Sequence, residues 1–165
     1  MSDEAEFLTG GCACGAVRYR MNSTPIFVNN CHCTLCQRQT GSTSVVNMFI
    51  EADAVDSSGA TTRHSVRAGS GGEHVIVRCA ACGTAMWSEY PRLGALGIGV
   101  RAGTLDEPAR VRPDAVIFTA HKMPWVTLPE GIPHFEATYA PVELLPPERF
   151  ARLAALIERR KAMQA

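Results

Sequence analysis

Seven cysteines fall into three tight clusters: Cys12-Ala13-Cys14-Gly15, Cys31-His32-Cys33-Thr34-Leu35-Cys36 and Cys79-Ala80-Ala81-Cys82-Gly83. An odd number of thiols cannot pair completely within one chain, and cysteines that only filled a core would be scattered among the strands. Thiols crowded at spacings of two and three residues suit chelation of one ion by several sulfurs, and the expected metal is zinc. The Cys79–Cys82 pair turns around a glycine that tolerates positive φ and so aims backbone N–H groups at the sulfurs. Cys12 and Cys14 form a second short pair with the same following glycine, Gly15. Four thiolates complete a tetrahedral shell, so the two pairs together read as a closed structural site joining the start of the chain to its middle. Cys31, Cys33 and Cys36 supply three ligands and leave a fourth position for water or a substrate thiol, the arrangement that catalytic zinc uses. The expectation is therefore two Zn2+ per chain, one structural and one catalytic. Spacing alone also allows the triplet to borrow a sulfur from one of the pairs, which would strand its partner. His32 is a possible fourth ligand, but on an extended backbone it points away from the cysteines on either side of it.

Short β-strands have to carry these clusters. Residues 16–21 alternate, with Val17, Tyr19 and Met21 on one face, and predict a strand. Further strands are expected over 26–30, leading into Cys31, and over 44–51, 62–68, 74–79, 84–90, 96–101 and 115–121. Gly69 to Gly72 reads as a flexible loop. From Pro146-Pro147-Glu148 onward, Phe150, Leu153, Ala154 and Ile157 recur at helical spacing, and Arg159, Arg160 and Lys161 suit the end of a helix. The fold class is mainly β with short antiparallel strands and a C-terminal amphipathic helix. The organisation expected is a leader over 1–8, a zinc-binding domain over 9–145, and a helix over 146–165 packing on or beside it.

Length and composition agree with one domain. The chain has 165 residues, of which 46% are hydrophobic and 19% charged, enough to fill one core. Sixteen basic residues balance sixteen acidic ones, so no basic stripe offers itself to nucleic acid or a membrane surface. The apolar runs are well short of the ~20 residues that span a bilayer. The sequence begins acidic, Met-Ser-Asp-Glu-Ala-Glu, where a secretory signal would be basic and then apolar, and a cytoplasmic location is expected.

The three cysteine motifs, in this order, resemble the glutathione-dependent formaldehyde-activating enzyme family, which includes centromere protein V. The resemblance also takes in Gly103-Thr104-Leu105-Asp106, His121-Lys122 with Trp125, and the segment around Pro133, covering roughly residues 9 to 136. It implies a zinc-bridged β-tent fold, shared with methionine sulfoxide reductase B. It also implies a structural zinc on Cys12, Cys14, Cys79 and Cys82 and a catalytic zinc on Cys31, Cys33 and Cys36. The implied reaction is that of a carbon–sulfur lyase that joins glutathione and formaldehyde into S-hydroxymethylglutathione. The implied partner is a small-molecule thiol such as glutathione.

Three further residues are candidates for holding substrate. Arg38, close behind the triplet, could clamp a carboxylate, and the alternative is an arginine on a surface turn. His121 and Trp125 match the family's late motif. They could line the pocket, with His121 as a proton carrier, or simply pack at a strand end. His64, His74 and His134 carry no spacing signal and receive no role. Two other functions compete with the lyase reading. The same zinc site could serve another thiol or small electrophile, or the chain could be a non-catalytic zinc module that binds a partner. Sulfoxide-reductase chemistry needs a reactive cysteine outside the metal sites, and the triplet leaves none.

Overall fold

The computed structural model describes residues 7–165. Ten strands form two sheets. Strands β1 (Leu8–Gly11), β2 (Arg18–Met21) and β5 (Val55–Ser58) make a small antiparallel sheet in the order β1-β2-β5. The larger sheet contains β3 (Phe27–Cys31), β4 (Val45–Glu51), β6 (Thr61–Arg67), β7 (Glu73–Cys79), β8 (Ala85–Glu89), β9 (Gly97–Arg101) and β10 (Ala115–Ile117). Its order is β10-β3-β4-β9-β8-β7-β6. All its neighbours run antiparallel except β10, which lies parallel to β3. Helices α1 (Thr34–Thr40), α2 (Pro141–Leu144) and α3 (Pro147–Ala162) complete the chain.

The alternation read over 16–21 has a direct structural consequence. Tyr19 and Met21 turn inward from β2 while Arg18 and Arg20 face solvent. They meet Met48, Ile50, Met86 and Val100 in the core between the two sheets. β4 sends alternate residues to opposite faces. Met48 and Ile50 enter that core, whereas Phe49 joins Ile26, Leu93, Leu145, Leu153 and Leu156 in a second core beneath α3. Burial on both faces explains why β4 carries apolar residues on both sides rather than on alternate positions only.

The mainly β class and the C-terminal helix agree with the sequence expectation, with several local differences. Of the leader read over 1–8, residues 1–6 lie outside the described residues, and Leu8 opens β1. β5 and α1 had no expected counterpart, and not every strand pair is antiparallel. The strand expected over 115–121 stops at Ile117, because Phe118 takes a left-handed conformation (φ 57°) and the chain coils through Thr119–His121. Among the described residues no helix is long and apolar enough to cross a membrane.

Helix α3 is tied to the sheets by paired ions as well as by Leu153 and Leu156. Arg149 bonds Asp114, which also accepts from the Val28 amide at 2.7 Å, and Arg152 grips Glu51 with bonds of 2.8 and 2.5 Å. Burial pushes the Glu51 carboxyl up, but the bonds to Arg152 outweigh it and hold the group below the ordinary carboxylate range. A lowered folded pKa gives stability that is complete above the unfolded value of about 4.3 and is lost as pH falls through the folded value. Arg152→Met should therefore cost about 1–3 kcal/mol at pH 7. The difference from the parent protein should shrink as pH drops below about 4, where Glu51 protonates in both proteins. Urea titrations of the two proteins across that range measure it.

Candidate metal centres and the adjoining cavity

The first centre lies where the small sheet meets the end of the large one. Cys12 and Cys14 lie in the loop between β1 and β2, Cys79 ends β7, and Cys82 follows in the turn toward β8. Both turns close in the same manner. The Gly15 amide donates to the Cys12 carbonyl at 3.1 Å and the Gly83 amide to the Cys79 carbonyl at 3.0 Å, with φ of 79° and 75° at the two glycines. Positive φ is what lets the chain double back within so few residues. The Val17 amide donates to the Cys12 sulfur at 3.2 Å. Bonds from the Thr84 hydroxyl and amide pull the Cys82 thiol down to about 5.

All four sulfurs lie within 4.8 Å of one another. A tetrahedral ion with metal–sulfur bonds of about 2.3 Å places its ligand sulfurs about 3.8 Å apart. The separations here are 3.5 Å for Cys12–Cys14 and 3.8 Å for Cys14–Cys79. Uncharged thiols have no reason to gather four to a corner, and the donor set fits one thiophilic ion.

The second cluster forms where β3 gives way to α1. Cys31 is the last residue of β3, Cys33 caps the N-terminus of α1, and Cys36 lies in its first turn. A strand that turns at once into a helix brings the three together, because the helical step from Cys33 to Cys36 puts both on one side. The Cys36 amide donates to the Cys33 sulfur at 3.3 Å, and Gly41 (φ 63°) ends the helix by donating to the Gln37 carbonyl. The three sulfurs lie within 4.8 Å of one another. Hydrogen bonds from Cys31 and Cys36 push the Cys33 thiol far down, to about 2, while Cys31 is driven up, chiefly by its two neighbours. Full ionisation requires a metal charge, which is what three converging thiols are suited to accept. His32 is buried, and burial lowers its pKa; it is not one of the converging ligands.

A cavity of about 550 Å³ opens directly on this cluster, with Cys31, Cys33 and Cys36 in its wall. A larger concavity, about 670 Å³, touches Cys82 alone among the cysteines, so the smaller one is where an open ligand position has room. His121 sits at the rim of the smaller cavity, exposed. It is held there by the turn at Phe118, whose left-handed backbone costs on the order of 1–3 kcal/mol. The Gln37 side chain stitches that turn to α1 by donating to the carbonyls of His32 and His121 at 2.7 and 2.9 Å. Arg38 lies exposed on α1 and Trp125 is 74% exposed, and neither lines the cavity. Of the three candidates for holding substrate, the structure brings only His121 to the cavity. Arg38 follows Cys36 by two helical positions, which rotates it to a different face.

Two residues given no role by sequence reasoning stand beside the cluster. Arg101, at the end of β9, is only 4% exposed, and among the described residues no carboxylate pairs with it. Its guanidinium donates to Asn47, to Tyr90 at 3.2 Å, to Gln39 at 2.8 Å and to Ser88 at 2.7 Å. The bond to Cys31 lowers the Cys36 thiol, but the bond to Cys33 and burial outweigh it and push the thiol up to about 11; the Arg101 charge is a smaller influence toward thiolate. A buried cation held only by neutral groups is costly unless an anion lies nearby, and the three-sulfur cluster supplies one. His74 lines the cavity, 1% exposed, its ring tilted against Tyr90 with centroids 4.3 Å apart, and its Nε2 is unpartnered. Burial, then the Arg101 charge, depress its pKa to about 4, so it is neutral at pH 7. The only sequence signal for Arg101 is a charged residue closing the apolar strand Gly97–Arg101. His74 had no signal, because its cavity is assembled by segments remote in sequence.

The sequence profile of the glutathione-dependent formaldehyde-activating enzyme family matches residues 7–121. A Halomonas elongata protein, provisionally named a glutathione-dependent formaldehyde-activating enzyme, is 30% identical over 129 residues, which cover 73% of this chain and 80% of that one. A crystal structure of a Rhodobacter sphaeroides protein superposes with a TM-score of 0.46 at 20% identity, over 64% of this chain and 91% of that one.

Proposed function

Because the chain belongs to the glutathione-dependent formaldehyde-activating enzyme family, we propose that it is a zinc-dependent carbon–sulfur lyase acting on adducts of a thiol and an aldehyde. Glutathione and formaldehyde are the nominal pair. The observation that carries this reading is the convergence of Cys31, Cys33 and Cys36 on the wall of a cavity. Three thiolates complete a zinc shell only with a fourth ligand, and the cavity is where that ligand enters.

Zinc bound there supplies Lewis acidity and lowers the pKa of an incoming thiol. The protein contributes the rest. Cys31, Cys33 and Cys36 hold the ion, with the Cys36 amide fixing the Cys33 sulfur. Arg101, buried against Tyr90, Ser88 and Asn47, offsets the negative charge of three thiolates and makes a further anionic sulfur tolerable. The largely apolar walls exclude water, which strengthens that compensation. His121 at the rim carries away the proton of the incoming thiol and returns one to the carbonyl oxygen. Cys12, Cys14, Cys79 and Cys82 hold a second zinc as a structural ion.

Thiols add to formaldehyde unaided, so the test must read rate above background. Exchange spectroscopy on a glutathione–formaldehyde mixture at equilibrium should show formation and breakdown of S-hydroxymethylglutathione accelerated in proportion to micromolar protein. No protein-dependent change would overturn the assignment to that pair.

Metal content offers a second test. The purified protein should carry up to two zinc ions per chain, and mild chelation should leave about one, since a closed structural site holds its metal through folding free energy. Metal analysis before and after chelation decides this. Protein free of zinc after expression with adequate metal would remove the basis of the proposal.

A further inference from the structure

The cavity beside the three cysteines is poorly matched to a highly charged ligand. Its walls are built from Phe27, Phe49, Tyr90, Leu93, Ile117 and Leu153. The rings form a continuous series. Phe27 stacks on Phe49 at 4.3 Å with planes 18° apart, Phe49 meets Tyr90 at 5.1 Å, and Tyr90 meets His74 at 4.3 Å. Among the described residues, Arg92, exposed at the edge, is the lone Arg, Lys, Asp or Glu in the lining, so the lining they form offers one such cation and no carboxylate. Glutathione carries two carboxylates and an ammonium. One cation at the rim can hold one of those carboxylates; the other polar groups of the lining, Asn29, Asn47, Ser70 and Thr138 among them, carry no charge, and burying charge without an opposite charge among aromatic rings is costly. Formaldehyde, with no substituent on its carbon, leaves the aromatic walls without an occupant.

Resting on the lyase reading above, we propose that the electrophile is an aldehyde bearing an aromatic ring. The ring lies among Phe27, Phe49 and Tyr90, and the polar remainder of the thiol stays at the rim near Arg92. The thiol sulfur attacks the aldehyde carbon. A carbon–sulfur bond forms as the carbonyl π bond opens, its electron pair goes to oxygen, and the proton released by the thiol ends on that oxygen. The reverse step returns thiol and aldehyde, and no oxidant or reductant enters. The hydroxyl of the adduct gives the unpartnered Nε2 of His74 the polar partner it lacks in the protein. Aromatic pairs at offset or tilted geometry add to the gain from area alone, which suits a ring as the inserted group.

Exchange rates on the zinc-loaded, full-length protein test the assignment with three pairs: glutathione with benzaldehyde, glutathione with formaldehyde, and benzyl mercaptan with formaldehyde. Relative to each spontaneous rate, the first pair should be accelerated about tenfold or more beyond the second, as burial of a phenyl group predicts. Phe49→Ala should remove that advantage; if it fails to fold, Phe27→Ala, at a half-buried position, replaces it. His74→Phe should slow the benzaldehyde pair about tenfold, the equivalent of one hydrogen bond. Titration with S-benzylglutathione and S-methylglutathione gives a reading independent of turnover, and the benzyl compound should bind about tenfold tighter or better. Equal acceleration of both glutathione pairs, or equal binding of the two thioethers, overturns the aromatic aldehyde and leaves the lyase reading standing. Preference for benzyl mercaptan places the ring on the thiol and overturns the aldehyde assignment. No acceleration of any pair overturns this proposal together with the lyase reading.

Discussion

Cys79→Ser should yield a chain that does not fold at neutral pH, whereas Cys33→Ser should yield a folded protein with one metal site fewer. The difference follows from what each cluster joins. Cys79 shares its cluster with Cys12 and Cys14, more than sixty residues earlier, so an ion there ties the β1–β2 loop of the small sheet to the end of β7 in the large one. Structural zinc in small domains contributes roughly 10–16 kcal/mol of apparent binding at pH 7. The net stability of a domain is about 5–15 kcal/mol. Losing most of the first quantity consumes all of the second. Cys79 is also 1% exposed, so its replacement leaves a buried hydroxyl in the core beside Val17 and Met86.

Cys31, Cys33 and Cys36, by contrast, lie within six residues on one strand–helix junction that backbone hydrogen bonds and the Gly41 cap already hold. The Cys33 sulfur does accept from the Cys36 amide, and a serine oxygen is a good N-cap that can take over that bond. Thermal melts and metal analysis of the two variants decide the matter. Equal and severe destabilisation by both would show that the partition into four and three sulfurs is wrong.

Cys36→Ser should abolish protein-dependent exchange of the thiol–aldehyde adduct in a protein that still folds, with its melting temperature lowered far less than by Cys79→Ser. Cys36 is 3% exposed and lies in the first turn of α1, so the change removes one of three sulfurs without touching the closed cluster. Two remaining thiolates bind zinc weakly, and the Lewis acidity goes with the ion. The expected result is a rate indistinguishable from the spontaneous background and one zinc per chain. Exchange spectroscopy and metal analysis on the same sample read both. Undiminished exchange in a variant that has lost the second zinc would move the chemistry away from this cluster.

The cysteine types and their spacing by themselves marked out the two groups of sulfurs that could hold metal. Close chelating pairs, a glycine after Cys14 and after Cys82, and a triplet within six residues carry their geometry locally, and local geometry is what a sequence states most directly. Val17, Tyr19 and Met21 announced β2 for the same reason, as did the helical spacing of Phe150, Leu153 and Ile157 for α3. Where the sequence reading differed, a tertiary cause is visible. Helix α1 is too short for periodicity, and only its Cys33 cap and Gly41 stop define it. The strand toward His121 ended early because Phe118 turns left-handed where its amide donates to the Ala137 carbonyl and the Thr119 amide to that of Phe135. Arg38 was read by nearness to the triplet and Trp125 by its match to the family's late motif, yet helix rotation and an exposed loop carry them away from the cavity. The cavity itself was invisible in the sequence. Phe27, Phe49, His74, Tyr90 and Leu153 come from β3, β4, β7, the end of β8 and α3, and nothing in their local sequence relates them. Only the packing of the sheet against α3 brings those rings beside the three cysteines. The cysteine clusters that could hold metal were therefore legible in the chain, while the cavity around the triplet was decided by the fold.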